Sequence, residues 1–225
     1  MTRINFDKES AATYAARPAR KVPGFDSLHR MVSMLLAERA PKDARILVLG
    51  AGGGLELTAL ADAHPGWSFD GIDPSPDMLQ LARHTSAAHA ERVQLIQAYI
   101  DGAPDGPYDG ATALLTFHFI PREQRLATLQ HIYRRLKPGA AFTLAHISFA
   151  QTEPERSQWI ARHVGYSAAP GADPAQLQEA CDTIRAKLTI LAPEEEEAML
   201  RQAGFTGVSL FYAGLSFRGW VACKP

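Results

Sequence analysis

Residues 45–54, RILVLGAGGG, put a continuous apolar run directly in front of glycines spaced G-x-G-x-G, at Gly50, Gly52 and Gly54. So short an apolar run reads as a strand buried on both faces, and Leu55 to His64 after it has helical character. Glycine permits the tight turn between the two and lets the backbone approach a ligand closely at the helix N-terminus. Glycines alone often do no more than turn a chain. This loop gains meaning from Asp73, about 20 residues on and at the end of a second strand, SFDGI at 68–72, where an acid can accept both ribose hydroxyls of a nucleoside.

The same alternation continues. Pro76 to Ala90 reads as a helix, with Ser75 as N-cap, Pro76 at the first helical position and Asp77 at the positive helix end. Strands are expected at 93–98, 110–117 and 140–147. Between the last two lies a helix over 122–136, with Leu126, Leu129, Ile132, Tyr133 and Leu136 near helical spacing and Pro138-Gly139 as its stop. From 151 to about 203 the strand rhythm gives way to helices divided by Pro154, Pro170, Pro174 and Pro193, and strands at 206–212 and 216–223 close the chain. Leu28, Met31, Val32, Leu35 and Leu36 make a helical stripe in the first 40 residues. The expected fold is α/β, a Rossmann-like sheet of seven strands with a helical cover. One domain is expected, with a helical cap over 1–40, a core over 41–150, a cover over 151–203 and closing strands over 204–225.

Composition sets the limits of function. With 225 residues, 46% hydrophobic and 21% charged, the chain has the balance of an ordinary globular domain. A chain of this size can bury about 70–75% of its unfolded surface without disulfides or metal. A net charge of -1 offers no electrostatic footprint for nucleic acid or an anionic membrane. Cys181 and Cys223 are the only cysteines, and the eight histidines form no carboxylate-supported pair at ligand spacing, so no metal is expected. The N-terminus, MTRINFDKES, lacks the apolar core of a secretory signal, and a cytoplasmic location is the expectation. A homodimer is left open.

The loop also narrows the ligand. A dinucleotide loop is G-x-G-x-x-G, whereas here the third glycine comes one residue early, and no lysine-serine pair follows to cradle a triphosphate. VLGAGGG, then GIDPSPDML at 71–79, then LKPG at 136–139 resemble, in order and spacing, the class I S-adenosylmethionine-dependent methyltransferases. Within them, residues 20–41 and 203–224 look most like the carboxy-S-adenosylmethionine synthases. The resemblance implies S-adenosylmethionine as cofactor and an antiparallel last strand. It implies that Gly50, Ala51, Gly52 and Gly54 lie along the methionyl part and that Asp73 holds the ribose. Pro74 and Met78, with Ala98, Tyr99 and Ile100, would border the adenine, and Thr116 would approach the sulfonium. There are departures. Val48 stands where many members carry an acid, and Tyr99 where an aspartate commonly meets the adenine amino group. Cys181, with Arg185 one helical turn away, stands where the synthases use an arginine to read their extra carboxylate.

Methyl transfer asks the protein to position a nucleophile and, where needed, to remove its proton. His118 and His146 follow the fourth and fifth strands and are candidate bases, though either can equally be a hydrogen-bonded structural residue. Tyr14, Phe25 and Tyr166 lie in the expected cover, where an aromatic face suits a sulfonium cation, and Tyr166 is also a catalytic candidate. Arg17, Arg20 and Lys21 are candidates for a substrate carboxylate, against the plainer reading of solvated charge. Glu194 to Glu197 suit a helix first turn and carry no expected chemistry. The leading expectation is a methyltransferase for a small molecule. One alternative is a non-methylating use of S-adenosylmethionine, either carboxymethyl-type or cyclisation to azetidine-2-carboxylate with release of methylthioadenosine. A non-catalytic S-adenosylmethionine-binding protein is the other.

Overall fold

A computed structural model describes residues 18–225. Tyr14 and Arg17 lie outside the described residues. Five strands alternate with helices through the first two thirds of the chain: α1 (Phe25–Ala37), β1 (Arg45–Leu49), α2 (Leu55–Ala63), β2 (Ser68–Asp73), α3 (Pro76–Thr85), β3 (Val93–Gln97), β4 (Tyr108–Leu114), α4 (Arg122–Arg135) and β5 (Leu136–Ile147). Three helices follow, α5 (Glu155–Ser167), α6 (Pro174–Lys187) and α7 (Pro193–Gln202), then the hairpin of β6 (Thr206–Gly214) and β7 (Phe217–Cys223).

The seven strands form one sheet in the order β3-β2-β1-β4-β5-β7-β6. The first five run parallel, and β7 runs antiparallel to both β5 and β6. The order reverses at β1: the chain steps outward through β2 and β3, then returns to build β4 on the other side. That switch point opens a crevice at the carboxyl ends of β1 and β4, where ligands bind in sheets of this kind. The glycine loop leaves β1 at this crevice.

Strand alternation sends Ile46 and Val48 to one face and Leu47 and Leu49 to the other. The first face packs beneath Leu28, Val32 and Leu36 of α1, Leu57 and Leu60 of α2, and Ile160 and Val164 of α5. The second packs beneath Leu129 and Ile132 of α4 and Leu200 of α7.

Several boundaries differ from the sequence expectation, each for a local reason. The third helix stops at Thr85, five residues early, where the Ser86 hydroxyl donates to the Ala82 carbonyl at 2.8 Å and a short 3-10 turn, Ala87–His89, follows. Such back-bonding competes with helix propagation. β4 ends at Leu114 because Leu115 takes a positive φ of 56°, unusual for a branched side chain. β5 begins at Leu136, within the expected helix stop, where Leu136 pairs with Tyr108 ahead of an irregular register.

Candidate functional site at the switch point

Gly50, Gly52 and Gly54 all take positive φ, at 75°, 49° and 82°, which explains the residue choice. At Gly50 a Cβ would stand 2.0 Å from Thr116 Oγ1, so the chain after β4 packs directly onto the loop. Thr116 Oγ1 donates to the Leu114 carbonyl at 3.0 Å and lies 3.3 Å from that of Leu49, joining the ends of β1 and β4. The strained Leu115 sits beside it, as strained backbone often does at sites that must hold a geometry.

Asp73 ends β2 and faces this loop. Its Oδ2 accepts the Gly52 N–H at 3.0 Å and its Oδ1 the Ser75 N–H at 2.9 Å. Burial raises its pKa, and the bonds from Ser75 and Gly52 oppose that rise. Each oxygen keeps a second lone pair, so the carboxylate can brace the loop and still accept a ligand hydroxyl. Ser75 caps α3, its hydroxyl accepting the Met78 N–H at 3.3 Å. Met78 is buried while Pro74 is exposed beside it, and across β3 Ile100 is buried and Tyr99 is 63% exposed. Ala98 to Ile100 therefore reach the same end of the sheet as Asp73, its partner Gln97 being one residue away.

The N-cap of α2, Gly54, provides no side-chain cap. Helix N-termini of this kind suit an anion such as a carboxylate. The loop, the acid at the end of β2 and the uncapped helix thus fit a nucleoside with an anionic tail.

The two candidate histidines are placed together, though not at an open surface. His146 is fully buried, its Nε2 2.9 Å from Glu196 Oε1 but out of hydrogen-bond alignment, and its ring lies between those of Phe117 and Trp220, each 5.6 Å away. Glu196 also pairs with the buried Arg125, which donates onward to the Thr189 carbonyl. Burial pushes Glu196 up, but His146 and Arg125 outweigh it and hold the carboxyl below its usual range. The Ile147 N–H points at His118 Nδ1 from 3.4 Å, and burial, with His146, His163 and Arg125 nearby, keeps His118 neutral far below the usual histidine range. The acidic run 194–197 opens α7 as a helix first turn, with Glu196 sent inward and Glu197 accepting from Trp220 Nε1 at 3.2 Å.

The cover gathers other residues. Phe25 is buried in α1, edge-on to His29 at 4.4 Å, and Arg20 is exposed. Tyr166 is half exposed at the end of α5, close enough to Tyr212 to help burial raise that phenol to about 12. Tyr212 in turn donates to the Pro23 carbonyl at 2.6 Å, fastening the N-terminal segment to β6. Cys181 is buried in α6, and Arg185 pairs with Asp182 at 2.9 Å. Sequence reasoning missed Glu56 and His163. His163 Nδ1 lies 2.7 Å from the Ser216 hydroxyl, and burial, helped by Lys21, brings its pKa to about 4. The signal for Glu56 was its i, i+4 relation to Leu60, which puts a carboxyl on the buried face of α2. Among the described residues no group of three or more His, Cys, Asp or Glu side chains is arranged to hold a metal, and no helix is long and apolar enough to cross a membrane.

Residues 47–142 match a family model described as a methyltransferase domain. The chain is 25% identical to a carboxy-S-adenosyl-L-methionine synthase of Chromohalobacter salexigens, over 98% of this chain and 83% of that relative. Among solved structures it is similar to an O-methyltransferase family protein from Burkholderia thailandensis, with a TM-score of 0.69 and 16% identity, over 97% of this chain and 60% of the other. It is also similar to the S-adenosylmethionine-dependent methyltransferase SibL, with a TM-score of 0.60 and 21% identity, over 90% of this chain and 57% of the other.

Proposed function

We propose, from the premise that this chain belongs to the class I S-adenosylmethionine-dependent methyltransferase family and uses that cofactor, that it transfers the methyl group to a small molecule. The observation that carries the reading is the Gly52–Asp73 hydrogen bond, which sets the glycine loop against the acid of β2 at the switch point. In this reading Gly50, Ala51, Gly52 and Gly54 lie along the methionyl part, and Asp73 accepts the ribose hydroxyls. Pro74, Met78, Ala98, Tyr99 and Ile100 border the adenine, and Thr116 stands near the sulfonium. The cofactor brings an already activated methyl group, so the protein's work is placement and exclusion of water. Phe25, Arg20 and Tyr166 belong to the cover that would enclose the acceptor. His118 and His146 stand in this reading as the candidate bases; both are buried, and burial holds the pKa of His118 well below the usual histidine range.

A second reading has specific support. The synthase relative aligns along nearly the whole chain, which favours a non-methylating use of the cofactor. Incubating the purified chain with S-adenosylmethionine alone, followed by mass spectrometry, tests the cyclising form of this reading, since the carboxymethyl form needs a carboxyl donor besides the cofactor. Unchanged cofactor keeps methyl transfer in front, whereas methylthioadenosine formed faster than in a protein-free control removes it. Calorimetry with Asp73→Ala tests the shared premise: the site is misplaced if that variant binds S-adenosylmethionine as tightly as the parent chain.

A further inference from the structure

Glu56 is the second residue of α2, immediately past the glycine loop, and is only 7% exposed. Its Oε1 has no hydrogen-bond partner among the described residues, and neither have the hydroxyls of Thr112 and Thr143. Thr112 is the cross-strand neighbour of Val48 on β1, and Thr143 is the neighbour of Thr112 on β5. Registered neighbours in parallel strands point to the same face. The two hydroxyls therefore form a polar row on the face packed beneath α2. Thr112 is near enough to Glu56 to oppose the rise in its pKa, yet no well-formed bond joins them.

An unpaired carboxyl in such a place is costly unless something completes it. The loop itself has no acid: residues 50–54 are glycine and alanine, and Val48 before them is apolar and fully buried. Asp73, each oxygen already accepting one backbone N–H, is assigned in this reading to the ribose hydroxyls. Several titratable groups on the surrounding elements are engaged elsewhere. His29 of α1 lies edge-on to Phe25 and feels the charge of Asp26, Asp62 of α2 meets His89, Asp109 of β4 meets Lys137, and His146 of β5 lies 2.9 Å from Glu196 on the opposite face of the sheet.

We infer that Glu56 receives the α-ammonium group of S-adenosylmethionine, supplying from α2 the negative charge that the end of β1 lacks. The inference rests on S-adenosylmethionine being the ligand of this site. Burial, partly opposed by Thr112, pushes the free carboxyl up to about 7, so an arriving ammonium would ionise it and release its proton.

Titration calorimetry on the full chain tests this with S-adenosylmethionine and with methylthioadenosine, which keeps the adenosine and sulfur but lacks the ammonium. A charge-assisted hydrogen bond corresponds to roughly 10–100-fold in affinity. Glu56→Gln should weaken S-adenosylmethionine binding by about that factor and leave methylthioadenosine within about twofold. Equal affinities of parent and variant for S-adenosylmethionine overturn the inference, as does a parallel loss for both ligands in a variant whose circular dichroism is unchanged. If the variant does not fold, the parent chain suffices. At pH 6.5, where an α-ammonium stays protonated, S-adenosylmethionine should release a large part of a proton, read as buffer-dependent heat, and methylthioadenosine should not. No such release overturns the inference. A parent chain that binds neither ligand overturns the cofactor reading as well, which is a different failure from tight binding with Glu56 silent.

Discussion

Two carboxyls are buried on opposite faces of the same sheet, and they differ in almost everything else. Glu196, on the α4–α7 face, meets Arg125 and His146 and is held ionised. Glu56, on the α1–α2 face, has no cation beside it and no partner for its Oε1, and burial pushes it up to about 7. Burial opposes ionisation in both places; the difference is the presence of a built-in cation. A buried carboxyl completed by the chain is structure, and one left without a partner just past the glycine loop is, on our inference, a place for a ligand.

The largest expected effect breaks the completed side. Arg125→Met strands Glu196 in the core and should cost about 3–5 kcal/mol, measured by urea unfolding at neutral pH. S-adenosylmethionine affinity should survive in whatever fraction stays folded. Next is the loop. Gly50→Ala combines a left-handed backbone with a Cβ overlapping Thr116, and about 2–4 kcal/mol of stability should be lost together with cofactor binding.

The pH dependence sharpens the contrast because the signs are opposite. Glu56 has a folded value near 7, above its ordinary 4.5, so the folded state holds the extra proton between those values. Stability from this group is therefore full below about 4.5, falls as pH rises through 7 and is flat above. Glu56→Gln should remove that slope, leaving the variant about 2–3 kcal/mol more stable than the parent at pH 8 in paired unfolding curves. Glu196 lies below its ordinary value, so its contribution is present above the usual carboxyl range and fades as pH falls through its folded value. The smallest change is Thr116→Val. Losing the hydroxyl that links the ends of β1 and β4 should cost about 1 kcal/mol in thermal unfolding, without a new overlap at Gly50.

Much of this was legible beforehand for reasons that can be named. The strand–glycine–helix unit was clear because short-range chemistry specifies it: an apolar run, residues that accept positive φ, and a helix start. The Ser75 cap and Pro76 were legible for the same reason. The buried network was not. Glu194–Glu197 look alike as a string, and only the docking of α7 onto α4 and β5 sends Glu196 inward while Glu194 stays outside that network. His118 and His146 looked like residues at open strand ends because their depth depends on helices far away in sequence.

Local pattern thus determined the elements, the glycine loop and the acid of β2, since each follows from interactions within a few residues. What tertiary structure alone decided was which charges meet. The strand order brings Val48, Thr112 and Thr143 into one row beneath Glu56, and three separate segments bring Arg125, Glu196 and His146 together. Whether a buried charge is completed or left open depends on partners tens of residues away, and no local pattern carries that information.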